Sequence, residues 1–533
     1  MNHASETITS AAPASNGRIL VVDDDGSCRL FMAAMLEKRG FVVSAAEGFQ
    51  DAMAKFQAAG LHGFDCVVTD YLMPDGNGID LLHWLRKKDS AIATIVVTME
   101  REKSLVAQSL RYGACDFLDK PTKAAELAAA AGRAIALTRH RRRLEQSQEA
   151  VNRIGRLQQL MLRNVPGGAL KIELCFFPKH EAGGDSLTRF VLDSHRHLVL
   201  LTDVAGHDIN AAFVSAYFQG FVRGMIERIT PVSTVFEAFD ILLEREWNSE
   251  KAHGAPGGLL TSVAATALLI DLNEKTAIIL GCGAPIPVHV TAQGRPIFCG
   301  SIGGSPLGWS AAADIRTTSR PIDQGEAFLM WSDGLESFAE QHEVQPLTLA
   351  AVLLLANIGA RIPLDIGGAL DDILVTRVCL PGNSDASGLI PLLKEDYTAA
   401  QASQIDALQR HWSDTLLFCF PDLEEPKLFN VLLASREAVL NAFRHGCRNS
   451  VNNLAQYAIS YHPSSRTLRV FVDDPGSGYQ FDVNAYETAA VEHLIDAHRG
   501  LILIEHLVDR WTVERNGASL IMDFFLDIRT NPR

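Results

Sequence analysis

The chain has few cysteines, no long apolar run and no excess of positive charge. Its 533 residues include 9 Cys, none in a C-x-x-C pair, which argues against a zinc site or a disulfide framework. The formal net charge of −15 argues against a surface for nucleic acid. No N-terminal stretch joins a basic to an apolar segment, and the longest apolar run, 349–360, is too short to span a bilayer. We expect a cytoplasmic protein without membrane contact or direct DNA binding.

The chain is long enough for three or four domains, each with its own core. Residues 1–16 are small and polar and predict a flexible tail. Residues 17–123 alternate short β-branched runs with amphipathic segments, which predicts a doubly wound parallel sheet. Functional groups of such a sheet gather at the carboxyl ends of its strands. The candidates there are Asp23, Asp24, Asp70, Thr98 and Lys120.

Three carboxylates in one crevice predict a Mg²⁺ site, and a lysine beside them suits a phosphoryl oxygen. With the YLMPDGNG turn after Asp70 and the DFLDKP segment, this pattern resembles the receiver domain of two-component response regulators. The resemblance implies a flavodoxin-like fold with Asp70 as phosphoacceptor and an upstream histidine kinase or phosphotransfer protein as donor. It assigns Asp23, Asp24 and Asp70 to Mg²⁺, Lys120 and Thr98 to the phosphoryl group, and Thr98 and Phe117 to the switch.

Residues 124–164 contain no strand signal, and their composition predicts a long helical linker. Leu137, Leu144 and Val151 recur every seven positions, which is typical of a short coiled coil and hence of a homodimer. His140 and Ser147 interrupt this seam. A helix that packs on its own domains is an equal alternative.

The central part of the chain places acidic residues at the ends of strand-like runs or in glycine-rich turns. They are Asp185 in EAGGD, Asp203 in LTDVAGHD, Asp333 in WSDGLESF, and Asp371 and Asp372 in GGALDDILV. Carboxylates that converge in this way repel one another unless a divalent cation neutralises them. Hard oxygen ligands favour Mg²⁺ or Mn²⁺, and a metal pair can activate water for phosphomonoester hydrolysis.

Together with GCGAPIPV (281–288) and GSPLG (304–308), these motifs resemble the SpoIIE/RsbU family of metal-dependent serine/threonine phosphatases over residues 165–381. The resemblance implies an α/β/β/α sandwich with two metal ions on Asp185, Asp203, Asp333 and Asp371. Whether Asp371 or Asp372 faces the metal follows only from the family pattern. Two departures occur: Ser186, Leu187 and Thr188 follow Asp185 where the family has an aromatic pair and an Asp, and Asp208 replaces a glycine in AGHD.

A polar connector, 382–393, precedes a last domain at 394–533. Its helix SREAVLNAFRHG carries Glu437, Asn441 and His445 on one face. A strand then leads into DPGSG with Asp474, Gly476 and Gly478, and Gly500 opens a helix, a place suited to phosphate. Asp474 suits the adenine amino group, Asn441 suits Mg²⁺ on the phosphates, and Glu437 suits the proton of a substrate hydroxyl.

This order resembles the GHKL-type ATP-binding fold, an α/β sandwich, in the form of the anti-sigma-factor serine kinases RsbW and SpoIIAB. The family's Thr after the last glycine is absent, since Ala518 follows Gly517. A histidine kinase is unsupported, because the upstream candidate His411 is followed by Trp412 and Ser413 rather than an acid.

The whole is thus predicted to be a multidomain α/β and α+β chain similar to the HsbR/CrsR-like response regulators of bacterial partner switching. That resemblance implies opposed serine phosphatase and serine kinase activities on a STAS-domain anti-sigma-factor antagonist, with Mg²⁺, Mn²⁺ and ATP as cofactors. A sigma or anti-sigma factor is a further candidate partner. Two alternatives stay open: the last domain is an ATP-dependent binding module, or the phosphatase fold is an inert scaffold.

Overall fold

The computed structural model describes residues 16–99, 113–163, 169–180, 183–206, 209–226, 231–253, 262–300, 304–309, 314–382, 388–448, 450, 452–478 and 500–526. The chain divides after Ala150 into two compact units. Within the described residues, no helix is both long and apolar enough to cross a membrane.

The first unit is built on a parallel sheet in the order β2-β1-β3-β6-β7. Its strands are β1 (Arg18–Val22), β2 (Val42–Ala46), β3 (Cys66–Asp70), β4 (Leu72–Met73), β5 (Gly76–Asn77), β6 (Ala93–Thr98) and β7 (Asp116–Asp119). Its helices are α1 (Gly26–Glu37), α2 (Phe49–Ala59), α3 (Gly78–Lys88) and α4 (Ala124–Arg163). Valine, isoleucine and leucine side chains fill both faces of the sheet, which makes two apolar cores. The predicted flavodoxin-like receiver fold is confirmed.

Helix α4 begins as part of this first unit. Leu127, Ala131 and Ile135 are buried against the sheet, and the Thr138 hydroxyl accepts a hydrogen bond from the Ala93 amide at 2.9 Å. Arg142 donates to Asp89 at 2.7 Å and to the Phe64 carbonyl at 2.6 Å. The helix then continues without interruption to Arg163, because its sequence contains no proline and few β-branched residues.

The second unit contains a sandwich of two five-stranded antiparallel sheets. One has the order β15-β12-β11-β10-β9 and the other the order β14-β13-β16-β17-β8. The strands are β8 (Lys171–Phe177), β9 (Ser186–Val191), β10 (Arg196–Val204), β11 (Val263–Asp271), β12 (Thr276–Cys282), β13 (Val288–Val290), β14 (Pro296–Phe298), β15 (Arg316–Pro321), β16 (Ala327–Trp331) and β17 (Ile373–Cys379).

Helices cover the outer faces of this sandwich. They are α5 (Ile209–Ile226) and α6 (Val232–His253) on the first sheet, and α7 (Asp333–Gln341) and α8 (Pro346–Ala356) on the second. Alternation along the strands sends one set of apolar side chains between the sheets and the other set under the helices. This is the predicted α/β/β/α arrangement.

The last part of the second unit is a third antiparallel sheet, in the order β18-β19-β20-β22-β21. Its strands are β18 (Ile390–Thr398), β19 (Leu454–His462), β20 (Thr467–Asp473), β21 (Arg510–Glu514) and β22 (Ser519–Phe525). Helices α9 (Ile405–Cys419) and α10 (Glu425–Asn441) pack on it, a π-helical turn (Ala442–Gly446) extends α10, and residues 500–507 form a further helix. Short 3₁₀ segments lie at Ile366–Gly368, Ala399–Gln404 and Arg515–Gly517.

The sandwich and the third sheet share one apolar core, whose centre is helix α8. Residues Leu347–Leu355 of α8 are all buried, and the Thr348 hydroxyl donates to the Leu392 carbonyl of β18 at 2.7 Å. Strand β18 packs in this core and begins at Ile390. Its start lies inside the interval 382–393, for which the sequence predicts a linker. A second contact joins the two parts where Arg295 donates to the Ser519 hydroxyl at 2.9 Å and pairs with Asp473 at 3.2 Å.

Candidate functional site

The first candidate site lies at the carboxyl ends of β1, β3 and β6. Carboxylate oxygens of Asp23, Asp24 and Asp70 all lie within 4.8 Å of one another. The Lys120 ammonium lies 2.7 Å from Asp23 and 2.6 Å from Asp70. Asp25 caps α1 by accepting from the amides of Ser27 and Cys28, which keeps the helix start close to the acids.

The electrostatics of this site follow from burial and pairing. Burial raises the pKa of Asp23 above its ordinary value. Burial lowers the pKa of Lys120, but its hydrogen bonds to Asp23 and Asp70 outweigh burial and raise it. Thr98 is buried at the end of β6, and Phe117 packs with Tyr71 over Leu82 and Val96. The all-oxygen donor set suits Mg²⁺.

The second candidate site lies at one end of the sandwich, where strands of both sheets stop. Asp185 directly precedes β9, and Asp203 lies near the end of β10. The two strands are neighbours, with Ser186 opposite Thr202. From the other sheet come Asp333, the first residue of α7, and the pair Asp371 and Asp372 ahead of β17.

Ser332, directly after β16, hydrogen-bonds to the start of the neighbouring strand β17 at this site. Its hydroxyl donates to the Asp372 carbonyl at 3.3 Å, accepts from the Leu374 amide at 3.0 Å, and lies in hydrogen-bonding contact with Asp185. Asp185 of the first sheet lies near Asp333 and Asp372 of the second, which are more than one hundred residues away in the chain. Sequence reasoning did not single out this serine, although it precedes Asp333 directly.

The carboxyl groups of this acid cluster strongly perturb one another. Burial, followed by the nearby Asp203, raises the pKa of Asp185 well above its ordinary value. Burial, with Asp333 beside it, raises the pKa of Asp203 to about 8. Burial also raises the pKa of Asp372. Within the described residues, the Oδ2 atoms of Asp185, Asp203 and Asp372 are buried without a hydrogen-bond partner.

Buried carboxylate oxygens without donors are costly unless a cation satisfies them, so these residues fit divalent metal ions of the Mg²⁺ or Mn²⁺ type. Both members of the Asp371–Asp372 pair border the cluster. Asp372 is buried and accepts from the Lys179 amide at 2.8 Å, whereas Asp371 is half-buried and adds to the rise in the pKa of Asp203. The assignment of Asp371 as the ligand stays a prediction.

The departure after Asp185 has a structural counterpart in a buried polar network. The Ser186 hydroxyl contacts Thr202 and accepts from Ser215 at 3.0 Å and from Gln219 at 2.8 Å. Thr188 donates to Gln219 at 2.6 Å. Ser186 follows Asp185 and Thr202 precedes Asp203, so the network ties α5 to both acid-bearing strands. The AGHD aspartate, Asp208, lies outside the described residues, as do Glu181 and Ala182 of EAGGD.

The two glycine-rich motifs meet in the structure. Gly283, from GCGAPIPV, has φ +65°, and a Cβ there would lie 2.5 Å from Pro306 of GSPLG, so only glycine fits. The Gly308 amide donates to the buried Asp240 of α6 at 2.7 Å. No sequence pattern pointed to Asp240, since it sits in an ordinary amphipathic helix.

The third candidate site lies on the helical face of the last sheet. Glu437 and Asn441 follow each other by one turn at the end of α10. A Cβ on Gly500 would lie 2.9 Å from the Asn441 amide nitrogen and 3.2 Å from Glu437 Oε2. The predicted helix-start glycine therefore lies against these two side chains, and a larger residue would collide with them.

Asp474 follows β20 at the same site. Its carboxylate accepts from the Gly476 amide at 2.8 Å, and burial raises its pKa. A Cβ on Gly446 would lie 1.9 Å from Asp474, so the π-helical turn that contains His445 is packed tightly on this acid. Gly478 has φ +79°, and Ala518 is buried at the start of the last strands. Residues 479–499, between Gly478 and Gly500, lie outside the described residues.

His411, considered above as a phosphoacceptor, has a structural partner instead. Its Nε2 lies 2.9 Å from the Glu395 carboxylate, which also accepts from Gln345 at 2.7 Å. The hydrogen bond to Glu395 raises the pKa of His411.

Three protein families match the chain in succession. The response regulator receiver domain matches residues 19–132, stage II sporulation protein E (SpoIIE) matches 193–373, and the histidine kinase-like ATPase domain matches 398–524. The chemotaxis protein CheY of Bacillus subtilis is 34% identical over 108 residues, which are 20% of this chain and 88% of CheY. The transcriptional regulatory protein FixJ of Bradyrhizobium diazoefficiens is 35% identical over 107 residues, 20% of this chain and 51% of FixJ. The chain thus spans about half the length of this FixJ.

Two solved structures are also similar. The RsbU and RsbW domains of Rv1364c from Mycobacterium tuberculosis are 20% identical, with 68% of this chain and 95% of that chain covered and a TM-score of 0.32. The SiaA-PP2C domain of Pseudomonas aeruginosa is 15% identical, with 44% and 97% covered and a TM-score of 0.32.

The chain belongs to the response regulators, since it covers most of CheY at 34% identity. A receiver domain, a SpoIIE domain and a histidine kinase-like ATPase domain follow one another along the chain.

Proposed function

We propose that this partner-switching regulator sets the phosphorylation state of a serine in a STAS-domain anti-sigma-factor antagonist. The central domain removes the phosphate, the C-terminal domain adds it, and phosphorylation of Asp70 decides between them. The acid cluster of the sandwich carries this proposal, because buried carboxylates without donors suit a metal-dependent phosphatase.

In the phosphatase, Asp185, Asp203, Asp333 and Asp371 hold the metal ions. Bound divalent ions would supply Lewis-acid chemistry for hydrolysis of a phosphate ester. The chain contributes rigid placement: Ser332 bonds the segment before Asp333 to the segment at Asp372 and Leu374, and the network around Ser186 and Gln219 holds β9 and β10. Asp185 is buried and Asp333 is exposed, so substrate would enter the site from the solvent side, past Asp333.

In the C-terminal domain, Asp474 binds the adenine amino group, Gly476 and Gly478 close over the base, and Gly500 opens a helix toward the phosphates. Asn441 holds Mg²⁺ on the nucleotide. Glu437 accepts the proton of the substrate serine hydroxyl. At the same time, the serine oxygen bonds to the γ-phosphorus of ATP, and the bond between that phosphorus and the departing ADP breaks. The one-turn spacing of Glu437 and Asn441 beside Gly500 supports these roles.

We infer that the receiver acts through helix α4. Asp70 takes the phosphoryl group from a histidine kinase or phosphotransfer protein, Lys120 and Thr98 contact it, and Thr98 and Phe117 rearrange. Leu144, Ile154 and Leu157 of α4 are 57%, 36% and 54% exposed, which supports pairing with a second copy of the chain. A continuous helix would carry a change at the receiver to the phosphatase.

The main experiment incubates the protein with a candidate STAS-domain antagonist, ATP, and Mg²⁺ or Mn²⁺, with and without receiver phosphorylation. We expect the phosphoserine form to be hydrolysed and the serine form to gain the γ-phosphate. A phosphorylated receiver should favour hydrolysis. If no candidate antagonist loses phosphate in Mn²⁺, the phosphatase proposal is wrong.

The kinase role has its own test. Glu437→Ala should lose phosphoryl transfer and keep nucleotide binding, whereas Asn441→Ala should weaken binding of Mg-nucleotide itself. Radiolabel transfer and nucleotide titration separate the two. If the wild-type protein binds ATP but never labels an antagonist, the C-terminal domain is an ATP-dependent binding module for an antagonist, a sigma factor or an anti-sigma factor.

Control through α4 is tested by inserting several glycines near Gln146. A shift of the phosphatase from 10% to 90% active needs roughly 2.6 kcal/mol, within the usual range for coupled sites. We expect a phosphoryl mimic on the receiver to stimulate the intact protein and not the variant with inserted glycines. Equal stimulation of both would exclude the helix as the connection.

A further inference from the structure

The end of helix α4 makes a specific polar contact that the proposed function does not use. The side-chain amide of Gln158 donates to the carbonyl of Gly183 at 2.8 Å and to that of Asp185 at 3.2 Å. Its oxygen accepts from the amide of Gly183 at 3.2 Å. One glutamine thus holds both backbone polar groups of Gly183 and the carbonyl of the first acid in the cluster.

The opposite side of this short loop is equally confined. A Cβ on Gly183 would lie 1.8 Å from Asp372 Oδ2, and a Cβ on Gly184 would lie 2.2 Å from the Val204 carbonyl. The loop therefore fits between Gln158 on one side and the Asp372 carboxylate and the end of β10 on the other. Any displacement of the loop changes the distances from Asp185 to Asp203 and Asp372.

The loop needs such support because of its composition and its charge. Two successive glycines lose more conformational freedom on ordering than other residues do. Asp185 is buried beside Asp203 and Asp372, and carboxylates placed this close repel one another when ionised. Without an outside restraint, the backbone could relieve this repulsion by moving Asp185 away from the cluster.

A glutamine suits this restraint better than a charged residue of similar length. Its amide is both donor and acceptor, so it can pair with the N–H and the C=O of one residue at once. A glutamate can only accept and a lysine can only donate. The contact is half-buried, which limits competition from water.

We propose that Gln158 is a positioning residue that holds Asp185 in the geometry for metal binding. This inference rests on the proposed phosphatase function for its consequence, although the contact itself concerns only metal affinity and loop order. The reach of Gln158 is set by its place on α4, so the same contact makes the metal site sensitive to a shift or rotation of the helix end.

The test compares Gln158→Met with Gln158→Glu and with Gln146→Met in the full chain. Methionine keeps the length and the helix preference of glutamine but removes all three hydrogen bonds. Glutamate keeps the acceptor for the Gly183 amide. Gln146 is exposed on the same helix, so Gln146→Met is a matched control. Mn²⁺ affinity is measured by calorimetry or electron paramagnetic resonance, and loop order by hydrogen exchange of the Gly183 and Asp185 amides.

We expect Gln158→Met to weaken Mn²⁺ binding by about 10- to 100-fold, the usual effect of removing a group that orients a metal ligand. Exchange at Gly183 should quicken in Gln158→Met and stay slow in Gln158→Glu. Phosphatase turnover should fall at low Mn²⁺ and recover at high Mn²⁺, because the ligand itself is intact. If Gln158 only filled space, the Gly183 amide would exchange at the same rate in Gln158→Met and in Gln158→Glu.

The outcomes distinguish this inference from the proposed function. If Gln158→Met binds Mn²⁺ and exchanges Gly183 like Gln146→Met does, the positioning role is wrong, whatever the activity. If Gln158→Met weakens Mn²⁺ binding but even the wild-type protein hydrolyses no phosphoserine substrate, the positioning role stands and the proposed activity fails. Should Gln158→Met not fold, weakened Mn²⁺ binding in Gln158→Glu, which loses both donor bonds, supports the role, and Mn²⁺ binding there as tight as in Gln146→Met overturns it.

Discussion

The receiver and the phosphatase both gather aspartates at strand ends, but they compensate the charge differently. In the receiver, the Lys120 ammonium lies within 2.7 Å of both Asp23 and Asp70. In the phosphatase, the Oδ2 atoms of Asp185, Asp203 and Asp372 are buried without a hydrogen-bond partner among the described residues. The first cluster carries part of its own countercharge, whereas the second depends on a cation from solution. The first should therefore stay ordered without metal, and the second should gain most from it.

The largest expected effect comes from removing acids of the phosphatase cluster. Asp185→Asn, Asp203→Asn and Asp333→Asn should each lower phosphatase turnover on the order of a thousandfold, since each removes a charge that we assign to the metal site. ATP binding should be unchanged. The measurement is Mn²⁺-dependent release of phosphate from a phosphoserine antagonist, beside a nucleotide titration. Normal hydrolysis by all three variants would contradict the metal assignment.

The internal countercharge of the receiver can be removed with a matched control. Lys120→Met leaves Asp23 and Asp70 unpaired in a buried site and should destabilise the receiver by about 3 kcal/mol in the absence of Mg²⁺. Lys55→Met removes a lysine that lies 2.6 Å from Asp51 at the surface, and it should cost less than about 1 kcal/mol. Hydrogen exchange of the β1 and β3 amides reports on both variants.

We expect Mg²⁺ to restore much of the stability of Lys120→Met, because the ion then replaces the missing positive charge. If the two lysine substitutions destabilise the receiver equally, the burial of Lys120 with Asp23 and Asp70 adds nothing to its stability.

In the phosphatase, removing a charge should increase stability, whereas in the receiver it should decrease stability. Asp203→Asn removes a carboxyl group that is disfavoured first by burial and then by Asp333, and it should stabilise the metal-free domain by about 1 kcal/mol. Asp193→Asn is the control in the same domain: its carboxylate accepts from the His195 and Arg196 amides at 2.8 and 2.7 Å, so its loss should destabilise. Thermal unfolding in a chelator measures both. If Asp203→Asn lowers the melting temperature as Asp193→Asn does, the cluster is not strained by its charge.

The smallest expected effect concerns Glu395, whose positive partner, His411, loses its charge as the pH rises. The hydrogen bond to Glu395 raises the pKa of His411, while burial raises and His411 lowers the pKa of Glu395, with a net decrease. The histidine contribution is complete below its unfolded pKa of about 6.5 and is lost as pH rises through the higher folded value. The glutamate contribution is complete above about 4.5 and is lost as pH falls through the lower folded value.

Stability from this pair should therefore be greatest between about pH 4.5 and 6.5. His411→Gln should remove the decline above that window, by less than about 1 kcal/mol because the histidine is 43% exposed. Melting temperatures from pH 5 to 8 for both proteins check this. An unchanged pH profile in His411→Gln would contradict the pairing.

Much of the receiver could be predicted because its signals are local. Strand-end placement brought Asp23, Asp70 and Lys120 into one crevice, and parallel strands end at the same edge whatever packs around them. The phosphatase acids were also found at strand ends, but the sequence did not say which sheet each strand joins. Ser332, Asp240, Gln158 and Gln219 escaped notice, since serine, aspartate and glutamine at such positions are common and carry no spacing signal.

The apolar run at 349–360 illustrates the same limit. Its length excluded a membrane span, yet its even hydrophobicity did not say what it packs against. In the structure, α8 is buried by the sandwich on one side and by β18 on the other, so the phosphatase and the ATPase domain share a core.

By itself, the sequence determined the order of the domains, the fold class and the positions of the acids, because period-two strands, glycine turns and strand-end carboxylates are local patterns. Only the tertiary structure decided which acids are buried together. It also decided that Lys120 lies between Asp23 and Asp70, and that Gln158 hydrogen-bonds to the loop before Asp185. The Gln158 and Lys120 contacts join residues 25 and 97 positions apart, and the acids that meet from the two phosphatase sheets are more than one hundred positions apart. Long-range hydrogen bonds depend on how sheets and helices pack, and no local pattern encodes that packing.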